Sequence, residues 1–247
     1  LKIIFRVAVA PVQLAREELC QLDFVGILTY FRNEIVTKYA TAEAQSALME
    51  VVGGVKIKPK KLKQLEKDFQ PAGNIQANIV PNGAHLFPQR PEIEVYARTQ
   101  QARAVGGDFY DAIALDQDRI YLAIGDATGK GMPAALFMMR AFTSLRFLVS
   151  NCPDFAEVFP ALNKTLLKKN DDMMFVSLWA GILDLRTGVL QYANGGHHPP
   201  FAALSGKAFR PLEVPNGPIV GVVEEAPFEV ATLHLKPGDT LFLYTDG

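Results

Sequence analysis

The sequence has little that would cross-link a fold or hold a soft metal. Cysteine occurs only at Cys20 and Cys152, far apart and without CxxC spacing. Neither a disulfide framework nor a thiolate zinc site is expected, and a reducing compartment fits. Histidine is scarce and shows no His-x-x-x-His spacing. No run of about 18 apolar residues exists, so no complete helical membrane span is expected. Basic excess is missing too: 25 Lys+Arg against 26 Asp+Glu leave a formal net charge of −1. That is too little to neutralise nucleic-acid phosphates, and no nucleic-acid partner is expected. What remains is an ordinary globular balance, 49% hydrophobic and 21% charged over 247 residues, enough for one large domain or a small one plus a larger one.

Leu1 to Val12 is apolar, short and interrupted by Lys2 and Arg6. It reads as a buried helix or strand, with the end of a membrane span entering the cytoplasm as the sharper alternative. Residues 1–61 as a whole read as an N-terminal helical region, a sensor or linker. Gly53-Gly54 and the lysines Lys56, Lys58, Lys60 and Lys61 form a solvated break. A connector helix is expected over residues 62–83, because Leu62, Leu65, Phe69, Ala72, Gln76 and Ile79 alternate at three and four. That spacing is the seam of a helix pair, and a homodimer through it is the corresponding expectation. Pro71 and Gly73 are expected to kink or break it.

From residue 92 the texture changes. Glu92 to Arg98 alternates as a strand. Gly107 to Leu115 and Arg119 to Gly125 are two strands around the turn Asp116-Gln117-Asp118. Pro133 to Val149 is a helix, and Cys152 to Lys169 a second one kinked at Pro160. Met174–Leu183, Val189–Asn194, Phe201–Leu204, Phe228–Leu235 and Thr240–Tyr244 read as strands. Strands in adjacent pairs with helices grouped between them make an α+β fold of antiparallel sheets. Met138, Met139, Met173, Met174 and Trp179 are assigned to the core.

Three aspartates share one setting. Asp108 follows Gly106-Gly107, Asp126 ends the apolar run from Ile120, and Asp246 ends the run from Leu241. A carboxylate at the end of a buried strand is costly unless compensated, and hard divalent cations compensate oxygen ligands. If residues 107–115 are extended, Asp108 and Asp111 face opposite sides. Asp108 is therefore favoured and Asp111 held as secondary. Gly129-Lys130-Gly131 lacks the Walker spacing, so nucleotide binding there is rejected. Lys130 is a solvated loop lysine, with contact to a substrate phosphate as the alternative. His197 and His198 sit between Asn194-Gly195-Gly196 and Pro199-Pro200 and read as a turn-stabilising pair, with proton donation by His197 as the alternative.

The ordered segments Arg103–Asp111, Ile124–Leu136, Met174–Asp184, Tyr192–His197 and Leu243–Gly247 resemble the SpoIIE/RsbU-type branch of the PPM (PP2C-like) serine/threonine phosphatases. The resemblance covers roughly residues 90–247, and residues 62–80 resemble the connector often found before such a domain. It implies an αββα sandwich with two Mn²⁺ or Mg²⁺ ions at one edge of the sheets. In that scheme Asp126 bridges both metals, the Ala127 carbonyl ligates one, and Asp108 and Asp246 complete the shells. It further implies hydrolysis of phosphoserine or phosphothreonine on a STAS-domain anti-anti-sigma regulator in partner-switching signalling, by attack of a metal-activated water. The phosphatase domain is assigned to residues 84–247 and expected to be C-terminally incomplete, because the family carries a further metal aspartate beyond the Thr-Asp-Gly strand. The N-terminal region, faintly similar to a HAMP linker, would receive an upstream sensor or activator. The expected location is the cytoplasm, as a free protein or the cytoplasmic part of a membrane-anchored sensor. The competing reading is a non-catalytic binding module of the same fold without a full metal set. A metal-dependent nucleotide cyclase is disfavoured, since no nucleotide-binding loop accompanies the aspartates.

Overall fold

The computed structural model describes residues 2–9, 70–81, 85–100 and 105–245. Two five-stranded antiparallel sheets form its frame. Sheet I comprises β3 (Asp108–Ala114), β4 (Arg119–Ala127), β5 (Val176–Asp184), β6 (Val189–Gly195) and β9 (Val230–His234), adjacent in that order. Sheet II runs β2 (Ile93–Gln100), β1 (Lys2–Val9), β10 (Thr240–Tyr244), β7 (Phe201–Ala203) and β8 (Arg210–Pro211).

The turns of sheet I follow from local chemistry. Asp116 Oδ1 accepts from the amides of Asp118 and Arg119 at 2.9 and 2.8 Å, an Asx turn that closes the β3–β4 hairpin. Asp184 Oδ1 likewise accepts from Arg186 and Thr187 at 3.0 and 2.8 Å before β6. Gly188 in that turn has φ 72°, and a Cβ there would stand 2.2 Å from the Leu235 carbonyl oxygen, so only glycine fits.

Helix α1 covers residues 70–79, α2 is Met132–Asn151 and α3 is Val158–Leu167. In α2 the buried positions Ala134, Met138, Ala141, Leu145 and Val149 recur at four and three, one stripe of an amphipathic helix. That stripe packs on sheet I: Phe142 meets Phe109 edge-to-face at 5.8 Å. Among the described residues α2 is the one helix long and apolar enough to cross a membrane, and its buried stripe makes it a core helix. Trp179, Tyr121, Phe109, Phe142 and Phe159 are the largest fully buried side chains of the shared core.

Four expectations need correction. Residues 2–9 are a strand paired with both β2 and β10. That stretch therefore leaves the helical region drawn over 1–61; Ile3, Ile4, Val7 and Val9 are β-branched and suit a strand. Helix α1 runs through Pro71 and Gly73 without a break. Pro160 lies in the first turn of α3, where its missing N–H removes no hydrogen bond, and the segment before it is a short 3-10 turn, Phe155–Glu157, capped by Asp154. Met173 is 77% exposed at φ 51°, not core. Residues 62–69 of the connector and the lysine cluster lie outside the described residues.

Candidate active site

Register places the acidic residues. In the β3–β4 pair Asp108 stands directly opposite Asp126, and in the β4–β5 pair Asp126 stands opposite Ser177. Directly opposed residues share a face, with Cβ atoms about 4.5–5.5 Å apart. Asp108, Asp126 and Ser177 therefore form a row across one end of sheet I. Asp108 is buried and Asp126 half-buried. Two carboxylates so close repel each other in the absence of a cation.

The backbone completes the arrangement. Ala127 N–H donates to the Gly107 carbonyl at 3.1 Å. A Cβ placed on Gly107 would stand 2.5 Å from the Ala127 carbonyl oxygen and 3.1 Å from Asp126 Oδ1. The space above Gly107 is thus framed by a carbonyl and a carboxylate oxygen, a hard donor set that suits Mg²⁺ or Mn²⁺. Among the described residues no three His, Cys, Asp or Glu side chains gather as a metal cluster. The set here is two carboxylates and a carbonyl; Asp246 lies outside the described residues. Gly107→Ala is expected to destabilise the fold by about 1–3 kcal/mol in denaturant unfolding, because its methyl group must displace backbone.

Asp111 is not brought to this site. It occupies the opposite face of β3, buried, and takes a two-pronged hydrogen bond from Arg146 of α2: Nε donates to Oδ2 at 2.8 Å and Nη2 to Oδ1. Burial pushes the Asp111 carboxyl above the ordinary carboxylate range, outweighing the pull of the guanidinium. The pair's hydrogen bond in turn raises the Arg146 pKa. The two directions agree physically: the pair is attractive, and taking the carboxylate out of water costs more than the attraction returns. Lys130 is exposed in the loop between Ala127 and α2, flanked by Gly129 and Gly131 at φ 91° and 72°.

His197 does more than stabilise a turn. It is 5% exposed, and its Nε2 bonds the Tyr244 carbonyl at 3.1 Å while Nδ1 bonds the Ser177 hydroxyl at 2.9 Å. A carbonyl only accepts, so Nε2 carries the hydrogen; in the neutral ring Nδ1 then accepts from Ser177. His198 stacks on the Tyr244 ring at 5.6 Å. Asn194 Nδ2 donates to the His197 carbonyl at 3.1 Å. His197 therefore braces β5 of sheet I against the end of β10 in sheet II. Sequence reasoning missed this brace, and it missed Ser177 and Gln76. Gln76 of α1 is 3% exposed: its Nε2 donates to the Gly106 carbonyl at 2.6 Å and its Oε1 accepts from the Gly106 amide at 3.0 Å. The available signal was a glutamine in an otherwise apolar helix seam.

Two packed antiparallel sheets with helix α2 on the outer face of sheet I, and opposed aspartates at the strand ends, define a PP2C-like domain. The solved SiaA-PP2C domain of Pseudomonas aeruginosa shares this fold with TM-score 0.59 and 19% identity over 76% of this chain and 74% of its own. Residues 116–247 match the model of Stage II sporulation protein E, and the chain belongs to the SpoIIE family. Protein IcfG of Synechocystis sp. is 31% identical over 91% of this chain and 37% of its own length. Phosphoserine phosphatase RsbU of Bacillus subtilis is 25% identical over 74% of this chain and 54% of its own. The chain thus spans about half or less of these relatives.

Proposed function

We propose that the chain carries the catalytic domain of a metal-dependent protein serine/threonine phosphatase that dephosphorylates a STAS-domain anti-anti-sigma regulator in the cytoplasm. The observation that carries this reading is the opposed pair Asp108 and Asp126, with the Ala127 carbonyl turned to the same space above Gly107. The name of RsbU as a phosphoserine phosphatase supports the reaction class. Asp126, Asp108, the Ala127 carbonyl and Asp246 would hold two Mn²⁺ or Mg²⁺ ions, with Asp126 shared between them. When bound, such ions polarise the phosphoryl group and lower the pKa of water. The chain's own residues supply the rest. Asp108 and Asp126 hold negative charge on one face, the bare Gly107 lets the Ala127 carbonyl approach beside Asp126, and His197 braces the end of β10. Residues 62–83, which carry the homodimer contact, connect this domain to an N-terminal region, 1–61 apart from strand β1, that takes the input of an upstream sensor or activator.

Phosphate release from a phosphoserine STAS protein by the natural full-length enzyme tests the reading. Release that requires Mn²⁺ or Mg²⁺ and stops with EDTA is expected. A folded full-length preparation that releases none with either ion refutes it in favour of a non-catalytic module.

A further inference from the structure

The row of polar groups at the end of sheet I does not stop at Ser177. Asp108 stands opposite Asp126, Asp126 opposite Ser177, and the Ser177 hydroxyl bonds His197 Nδ1 at 2.9 Å. His197 in turn reaches the Tyr244 carbonyl through Nε2 at 3.1 Å. This chain of contacts has a direction. The carbonyl takes the Nε2 hydrogen, so Nδ1 of the neutral ring accepts, and the one hydrogen of Ser177 is spent on it. Ser177 Oγ is left with lone pairs only. It accepts a hydrogen bond from the site and has none to give. His197 is 5% exposed and Ser177 half-buried, so the ring is held while the hydroxyl oxygen stays within reach of a ligand.

That polarity selects what Ser177 can meet. The oxygens of a phosphoester dianion only accept, so Ser177 offers them nothing. Water donates. Directly opposed residues have Cβ atoms about 4.5–5.5 Å apart, and one water spans the gap between a hydroxyl and a carboxylate at that separation.

We propose that Ser177, turned into an acceptor by its bond to His197, holds and orients the water that attacks the phosphoester. The inference rests on the phosphatase reading given above and adds the group that aims the nucleophile. In the step, the water oxygen bonds to phosphorus, and the bond from phosphorus to the substrate's serine or threonine oxygen breaks. The hydrogen that points at Ser177 stays on the attacking oxygen and leaves with hydrogen phosphate. The water's other proton ends on the released serine or threonine oxygen. Ser177 forms no covalent bond and carries no proton away. It restricts the rotation of the water and turns a lone pair toward phosphorus.

Ser177→Ala and Ser177→Thr in the natural full-length protein test this. kcat and KM on a phosphoserine protein are read beside the inhibition constant of inorganic phosphate, with the Mn²⁺ dissociation constant taken by calorimetry. We expect kcat to fall about tenfold in Ser177→Ala, the size of one lost hydrogen bond. Phosphate inhibition and Mn²⁺ affinity should stay within about threefold of wild type, because Ser177 contacts neither. Ser177→Thr keeps the oxygen and should recover most of kcat. A merely structural role would lower Tm and spare kcat in the folded variant. If Ser177→Ala fails to fold, Ser177→Cys, near in size and only a weak acceptor, carries the test with the same expected loss. Phosphate inhibition that weakens in step with kcat overturns the inference, since it makes Ser177 a phosphate ligand. Wild type that releases phosphate, matched within about threefold in kcat by the folded variant, overturns this inference alone. Wild type that releases none overturns the phosphatase reading, and this inference with it.

Discussion

Asp126→Asn is expected to reduce phosphate release by about a thousandfold or more, equivalent to roughly 4 kcal/mol of transition-state stabilisation. The change is isosteric and leaves the β4 backbone intact, so the loss reports charge rather than folding. Asp126 stands in the middle of the row, between Asp108 and Ser177, with Oδ1 beside the space above Gly107. Removing its charge also removes the repulsion from the opposed Asp108. In EDTA the variant should therefore melt at the wild-type temperature or slightly above it. With Mn²⁺ present the order should invert, because only the wild type gains from binding. Activity within tenfold of wild type would show that Asp126 is not the shared ligand.

Arg146→Met is expected to be the most destabilising single change outside the site. It leaves Asp111 buried and ionised without its partner, and breaking a buried pair costs about 3–5 kcal/mol. The Arg146 side chain is 37% exposed, which lowers the expectation to about 2–3 kcal/mol. For a chain of this size that corresponds to a Tm lower by roughly 4–12 °C. The guanidinium also lies 4.8 Å from the centre of the Phe142 ring, a contact that methionine only partly replaces. The pH dependence has a definite sign. Burial already raises the Asp111 pKa, and losing Arg146 raises it further, so the folded state takes up a proton more readily than the unfolded one. The deficit relative to wild type should shrink as pH falls through the raised pKa and stand at full size above it. A deficit that stays constant from neutral to mildly acidic pH would place the loss in packing rather than charge.

Much of this arrangement was legible because strands enforce a two-residue period. The β3–β4 hairpin was readable from two strand-like runs around the turn Asp116-Gln117-Asp118, and the two-residue period of an extended strand separates Asp108 from Asp111. The surroundings of Gly107 were partly legible: paired glycines beside an aspartate point to a close approach, but only the structure shows that Gly107 meets the Ala127 carbonyl. What stayed hidden depends on distant contacts. Arg146 finds Asp111 from 35 residues away, Gln76 finds Gly106 from 30, and His197 finds Tyr244 from 47. No local propensity encodes such pairings. Met173 was misplaced for a related reason: its positive φ follows from the tight turn in which Asn170 bonds the amide and carbonyl of Met174, a constraint that hydrophobicity does not carry.

The order of strands in sheet II bears on how the domain is assembled. In sheet I short turns join β3 to β4 and β5 to β6, while β4 meets β5 across α2 and α3. In sheet II, Ile4 pairs with Tyr244 and Val7 with Leu241, so β1 meets β10 across nearly the whole sequence. Closing a loop of that length in an open chain costs about 3 kcal/mol more than closing a ten-residue hairpin, by the logarithmic dependence on length. The ends are thus brought together cheaply only in a chain that has already collapsed, which puts sheet II after sheet I in time. On a ribosome β1 emerges well before β10 and must wait for it. Until then the edge of β1 that pairs with β10 is open to other chains, which exposes the nascent protein to mispairing there.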